Sequence, residues 1–512
     1  MYNLRPLLPT WWFESPVDRR IWDHPILSFQ RGRRVTFYFE GQPVEAYEGE
    51  SIAVALYAVG FDTLSWSPSL LRPRGPFCMI GKCSSCFMVV NGVPNVKTCR
   101  EPARDGINVE RQRGWVSPLV GQPIESLEVP EVKLNTDVLV VGGGPAGLSA
   151  ALTLAEFGLE VIIVDEHFKL GGQLLKQTHK FFGSVDLFGG MRGFQIAEEY
   201  LKRISGNLRI RALRESIAYG AFRGGLVGVA SREAHYVVKP RALVAATGAQ
   251  ERYLEFPNND LPGVIGAGGV QTIMNEYGVK PGERALVIGS GNVGIIVAYQ
   301  LLQAGVRVEA VVEILPEIGG WFVHAAKIRR YGIPILTRHT VKSVYGNGRV
   351  EKAVVVAVDE KFNPVPGTER EFNVDLVLLA IGLEPDTRLV LQCGAIARWS
   401  PELGGLVPLR TLDLETSVPN LYVAGDSSGI EEATTAIIEG RIAALSIVEK
   451  LADPSKASKA REDVEKLIRF LWDEYRKSPL LARARKGKES VTVSKEEMEK
   501  LRSEFPPPIL FG

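Results

Sequence analysis

A multidomain chain combining α/β and α+β architecture is what the sequence predicts, and three observations predict it. At 512 residues the chain exceeds what one hydrophobic core can organise, so two to four domains are expected. Four of the five cysteines crowd into residues 78–99, ahead of a linker-like stretch. Beyond it, a strand, a glycine turn, a helix and a second strand occur twice, at Asp137 to Glu166 and at Arg284 to Glu313. Their spacing of about 150 residues is too long for a solenoid and reads as a duplicated nucleotide-binding unit.

Composition narrows the function classes. The hydrophobic share of 45% and charged share of 23% are those of an ordinary globular protein. A net charge of +1 gives no basic face for nucleic acid. No run reaches the ~18 apolar residues of a membrane span. The opening MYNLRPLLPTWWFESP is broken by proline and makes a poor signal peptide, so a cytoplasmic location is expected.

In chain order, residues 1–30 read as an arm, with Trp11 and Trp12 expected to pack on the first domain. Residues 31–115 form that domain. Arg34 to Tyr47 alternates as two short strands about the turn Glu40-Gly41-Gln42-Pro43, and Ser51 to Val59 is a helix-like apolar run. Phe87 to Val90 is strand-like before a turn at Asn91-Gly92. Proline, glycine and serine then recur, which places a linker over 116–135. Residues 136–280 and 373–450 read as two parts of one dinucleotide domain enclosing a second over 281–372. A charged helical tail, 451–512, ends in FPPPILFG and is expected to serve packing or assembly.

Cys78, Cys83, Cys86 and Cys99 stand as C-x4-C-x2-C-x12-C. A [2Fe-2S] cluster needs two thiolates per iron, and the plant-type spacing supplies three from one loop and one from further on. Gly81 permits the backbone angles such a loop requires. A structural zinc is the main alternative, although zinc sites more often pair two separated C-x2-C units. A redox disulfide is a weaker rival.

The first glycine fingerprint, Gly142-x-Gly144-x-x-Gly147, follows an apolar strand. Gly142 makes the tight turn, Gly144 lets the backbone approach a pyrophosphate, and Gly147 brings the helix onto the strand. Asp165 ends the next strand, placed to accept from an adenosine ribose. The second fingerprint is Gly289-x-Gly291-x-x-Gly294 with Glu313 in the acidic position, which favours NAD over NADP. Its glycines also fit a packing role with no nicotinamide, or a site for an adenine nucleotide alone. His167, next to Asp165-Glu166, belongs either near a nucleotide or at the surface.

Further segments carry a resemblance. RALVAATGAQERY resembles the ATG segment of the two-dinucleotide flavoproteins, with Gly248 beside the flavin dinucleotide. NLYVAGDSSG resembles the segment whose aspartate, here Asp426 after Gly425, binds the ribityl chain. Gly171-Gly172-Gln173 matches the GGQ found beside FAD, and DLVLLAIGLEPDT resembles the returning strand around Gly382. The family includes thioredoxin reductase and the ferredoxin reductases, so a glutathione-reductase-like two-dinucleotide-binding fold is implied. Its disulfide reductases need a cysteine pair beside the flavin. After Cys99 only Cys393 remains, which excludes that chemistry and leaves Cys393 a buried apolar residue.

RVTFYFEGQPVEAYEGESIAVALYAVG, followed by LRPRGPFC, resembles the N-terminal domain of the α subunit of heterotetrameric sarcosine oxidase. Hydrogen cyanide synthase, opine oxidases and dye-linked proline dehydrogenases share its parts. The resemblance implies a ferredoxin-like (β-grasp) [2Fe-2S] domain joined to the flavoprotein fold. It also implies a hetero-oligomer with an FAD-containing partner of amine-oxidase fold, which takes hydride from the amine while this chain relays electrons to an acceptor. Some members place FMN between subunits, and some hold ATP or NAD where FAD is expected. The cluster cysteines that sarcosine oxidase has largely lost are present here, whereas its folate-binding half and the second cysteine cluster of some relatives are absent. A dehydrogenase of proline, hydroxyproline, sarcosine or opine type is therefore expected, with no general base or nucleophile singled out in this chain. The rivals are a self-sufficient NADH:acceptor oxidoreductase and a structural subunit holding ATP or NAD.

Overall fold

The computed structural model describes residues 18–112, 129–181 and 185–512. Trp11, Trp12 and most of the expected linker lie outside them. The cysteine domain is a five-stranded mixed sheet of β1 (Arg34–Phe39), β2 (Gln42–Tyr47), β3 (Phe87–Val90), β4 (Val93–Lys97) and β5 (Asn108–Arg111), in the order β2-β1-β5-β3-β4. Alternation in β1 sends Val35, Phe37 and Phe39 inward. They meet α1 (Ile52–Ala58), whose seven residues are all buried and whose first turn is capped by the Ser51 hydroxyl accepting from Val54 N.

The next sheet has seven strands. It runs from β6 (Glu131–Val141) through α2 (Pro145–Glu156), β7 (Val161–Val164), α3 (Gly193–Ser205), β8 (Ile210–Leu213), β9 (Ile217–Phe222) and β10 (Leu226–Ala230) to β11 (His235–Ala245). The order is β8-β7-β6-β11-β10-β9, and Leu421–Val423 adds to β11 in parallel. Here the linker expectation over 116–135 needs correction at its end. Glu131 to Asn135 already belong to β6 and pair with His235 to Lys239. Val132 and Leu134 alternate with polar neighbours, the pattern of a half-buried strand.

A second sheet, all parallel, has the order β12-β16-β13-β14-β15. Its strands are β12 (Val264–Gly266), β13 (Arg284–Ile288), β14 (Arg307–Glu313), β15 (Ile335–Thr337) and β16 (Leu376–Leu379). Between β12 and β13 lies α4 (Ala267–Gln271), continued by a π-type turn over Thr272–Glu276, and α5 (Asn292–Gln303) follows β13. After the returning strand Leu421–Val423, α6 (Ala433–Leu451) packs on α2. The tail continues as α7 (Pro454–Arg469) and α8 (Ala482–Val491). Its end turns back, so that Ile509 and Phe511 are buried beside Val390 and Cys393 under the first sheet. Among the described residues no helix is long and apolar enough to cross a membrane.

Candidate functional site

Strand order alone assembles the first site. Neighbouring parallel strands β6, β11 and Leu421–Val423 end at Val141, Ala245 and Val423, so Gly142, Gly248 and Gly425 with Asp426 emerge side by side at one sheet edge. Ligands of open parallel sheets bind at this carboxyl edge, where the chain changes direction. β7 ends at Val164 and delivers Asp165 to the same place. A cavity of about 680 Å³ lies there, lined by Gly142, Gly144, Asp165, Gly172, Gln173 and Asp426 among others.

Local geometry shows why glycine stands in the first fingerprint. Gly142 has φ +108°, and a Cβ on it would stand 2.1 Å from the Ala246 carbonyl oxygen. Gly147 does not face the cavity. It seats α2 on the turn, where a Cβ would meet the Gly142 oxygen at 1.9 Å. Gly147→Ala is therefore expected to cost about 1–3 kcal/mol through forced displacement of backbone. Urea denaturation, with flavin released on acid precipitation, checks both the loss of stability and an emptied site. Gly144 caps α2, Pro145 stands at its first position, and the first turn carries no acid, leaving the positive helix end open to an anion.

The acids keep capacity for a ligand. Asp165 Oδ2 accepts from Gly143 N at 2.6 Å and Oδ1 from His167 N at 2.7 Å, so lone pairs remain. Burial pushes its carboxyl up to about 6 against the Gly143 bond. Burial does the same to Asp426, also to about 6, while Glu431 N donates to its Oδ1 at 3.3 Å.

The opposite wall belongs to the cysteine domain, through Cys78, Gly81, Lys82 and Arg100. All four cysteines are buried. Their sulfurs pair two and two, Cys78 with Cys83 and Cys86 with Cys99. A zinc with four thiolates needs every sulfur about 2.3 Å from a single ion, whereas two irons need two pairs. Four buried thiols in this order, in contact two by two, supply the two thiolates per iron that a binuclear cluster needs. Ile80 N and Cys83 N reach Cys78 Sγ at 3.5 and 3.3 Å, aimed by left-handed backbone at Met79 and Gly81.

Ion pairs seat this loop on the dinucleotide domain. Lys82 Nζ lies 2.8 Å from Asp386 Oδ2 and 3.2 Å from Glu166 Oε1. Phe77 stacks on Tyr253 with centroids 4.6 Å apart, and its carbonyl accepts from Gly266 N.

Gly289, Gly291, Gly294 and Glu313 do not line this cavity, although Val293 between them does; at the edge of the second sheet they repeat the first construction. A Cβ on Gly289 would meet the Ala380 oxygen at 2.3 Å, and one on Gly294 the Gly289 oxygen at 2.1 Å. Glu313 accepts from Ser290 N and Ser290 Oγ on one oxygen and from Leu315 N on the other. Gly319 and Gly320 fold over the loop, with Gly320 N donating to Ser290 O at 2.8 Å. They stand six and seven residues after Glu313, as Gly171 and Gly172 do after Asp165. That repeat was readable in the sequence and marks a duplication of the whole unit.

His167 corrects the surface alternative. It is buried, lines the cavity, and sets Nε2 3.1 Å from Glu276 Oε1. Sequence reasoning also missed Lys176 and Glu251 in the cavity wall, although Glu251 stands within RALVAATGAQERY and Lys176 three residues after Gln173. Cys393 is fully buried among apolar neighbours, as expected.

A cysteine loop with paired sulfurs, seated on a duplicated dinucleotide fold, defines an iron–sulfur flavoprotein of the oxidoreductase class. Residues 136–440 match the pyridine nucleotide-disulphide oxidoreductase model, and residues 32–114 the 2Fe-2S iron-sulfur cluster binding domain. The chain belongs to the pyridine nucleotide-disulphide oxidoreductase family. It is 27% identical over 489 residues to the alpha subunit of sarcosine oxidase from Rhizobium meliloti (strain 1021), covering 82% of this chain and 46% of that one. An opine oxidase subunit of the same organism is 30% identical over 347 residues, with 62% of this chain and 72% of that one covered. The solved structure of L-proline dehydrogenase from P. horikoshii matches with a TM-score of 0.65 and 27% identity, over 87% of this chain and 79% of that one. The chain spans under half the length of the sarcosine oxidase chains it matches.

Proposed function

We propose that this chain is the electron-transfer subunit of a heteromeric flavin-dependent dehydrogenase acting on a secondary amine or amino acid of proline, hydroxyproline, sarcosine or opine type. One observation carries the reading. A cluster cysteine, Cys78, and the dinucleotide residues Gly142, Gly144 and Asp426 line the same cavity. The names of the relatives, oxidase subunits and a proline dehydrogenase, supply the substrate class.

Cys78 and Cys83 would hold one iron, and Cys86 and Cys99 the other. The N-terminus of α2 would face the pyrophosphate, Asp165 would accept from the adenosine ribose, and Asp426 from the ribityl chain. Gly172 would stand beside the pyrophosphate turn, against Gly144, and Gln173 and Gly248 would line the way towards the ring. A flavin there would supply two-electron chemistry, and a [2Fe-2S] centre held by the four thiolates would supply one-electron transfer. Lys82, clamped between Glu166 and Asp386, ties the cysteine loop to the dinucleotide domain at the cavity wall. Four clustered cysteines of cluster type, with no secreted disulfide framework in the sequence, suit a reducing compartment, so we infer a cytoplasmic location. FMN at a contact between subunits and NAD on the second glycine loop are compatible additions.

The catalytic partner is a separate FAD-containing subunit in this reading. Purified with its co-produced partner, the complex is expected to reduce an artificial dye when given the amine, while the chain alone does not. Robust amine oxidation by the isolated chain would contradict the proposal.

A further inference from the structure

In the wall of the cavity two side chains of opposite charge flank one glycine, Gly268. Lys176 Nζ donates to Gly268 O at 2.9 Å and to Thr272 Oγ1 at 3.0 Å, which uses two of its three protons. Gly268 N donates to Glu251 Oε1. Glu251 Oε2 has no partner, although the residue is only 8% exposed and lines the cavity. Gly266 makes room for it, since a Cβ there would stand 1.8 Å from that oxygen. Burial pulls Lys176 down to about 8 and pushes Glu251 up to about 7, and each charge partly offsets the other's shift. A buried carboxylate oxygen without a donor is costly, and a ligand N–H would relieve it.

Position along the cavity sets what that ligand is. Gly268, Gln271, Thr272 and Glu276 line it from one continuous helical segment. Glu276, at its far end, contacts His167, two residues beyond the ribose-side Asp165. Eight residues of helix separate Gly268 from Glu276, roughly 12 Å. Glu251, held at Gly266 and Gly268, therefore stands at the end of this segment away from Glu276, and Lys176 bridges from Gly268 to Thr272 one turn nearer. The segment Gly172–Lys176 leads there from the phosphate turn, where Gly172 lies against Gly144.

We propose that Lys176 and Glu251 are the binding residues for the pyrimidine edge of a flavin ring, an N–H flanked by two carbonyls. Glu251 Oε2 accepts from the N–H, and the remaining Lys176 proton goes to a carbonyl. The pair thereby selects FAD over an adenine nucleotide that ends at its phosphates. This assignment rests on reading the cavity as the flavin site. A nicotinamide carboxamide offers related donor and acceptor chemistry, and the test separates the two.

The test titrates FAD, ADP and NAD+ separately onto the flavin-stripped full-length chain, using the wild type, Lys176→Met and Glu251→Gln. Both variants are expected to lose about tenfold or more in FAD affinity, with ADP unchanged within about twofold, because ADP does not reach the pair. The midpoint potential of bound FAD is expected to fall in Lys176→Met, which lacks a cation beside the ring. Equal losses for FAD and ADP in both variants, or no loss in either, overturn the assignment. So does a loss confined to NAD+. A native protein without flavin would sink the relay reading, whereas FAD held equally by wild type and variants would sink this assignment alone.

Discussion

Cys83→Ser is expected to leave the cysteine loop without its cluster and to bring amine-dependent dye reduction by the assembled complex to background. A serine hydroxyl stays protonated near neutral pH and makes a poor iron ligand, whereas a hydrogen bond from Cys78 pushes the Cys83 thiol down, towards the thiolate that iron needs. Removing one of four thiolates leaves one iron with a single protein ligand. Iron and acid-labile sulfide per chain, with visible absorption, read the loss directly. Cys393→Ser is the control. Its sulfur is fully buried away from the loop, so iron should stay while stability falls by about 1–3 kcal/mol for an unsatisfied hydroxyl. A Cys83→Ser complex with full iron and full dye reduction would contradict the cluster assignment.

The second large effect is expected at the tail. Arg476 grips Glu431 with two bonds of 2.9 and 2.6 Å and reaches Glu439 at 2.7 Å. Lys488, with no exposed surface, adds bonds of 2.8 Å to Glu439 and 2.9 Å to Ser428 Oγ. Glu439 in turn accepts from Gly425 N at 2.9 Å, the residue before Asp426. The tail is thus tied to the turn that shapes the cavity. Arg476→Ala leaves two buried carboxylates short of a partner, and breaking such a network costs about 3–5 kcal/mol. Urea denaturation is expected to show that loss together with flavin release.

The same network fixes an acid limit. Burial opposes the charge on Glu439, yet Lys488, Arg476 and Arg410 outweigh it and hold the carboxyl down at about 2. A depressed folded value gives stability that is complete above the unfolded value near 4.5 and is lost as pH falls towards 2. Wild-type stability should therefore decline across that window, and Glu439→Gln should flatten the decline.

The two cofactor motifs were legible because their chemistry is local. Short cysteine spacing and glycine turns write their geometry into neighbouring residues. Strand alternation was equally plain in Val35, Phe37 and Phe39. What escaped is long-range. Lys176 meets Gly268 across 92 residues, and Lys488 meets Glu439 across 49, with no periodicity to announce either contact. Burial of His167 likewise depends on Glu276, more than a hundred residues away. The start of β6 was missed for a different reason, because Pro130 directly before Glu131 continues the proline-containing stretch, and the alternation of Val132 and Leu134 was read as part of it. The paired glycines after Asp165 and Glu313 were visible all along, and only the structure shows that both pairs fold over their loops.

The central claim is that paired sulfurs and a flavin cavity meet in one chain. A metal, sulfide and flavin inventory of the native protein, purified without air, tests it most directly. Two irons, two sulfides and one flavin per chain are predicted. One zinc in place of iron, or a chain free of both iron and flavin, would contradict the account.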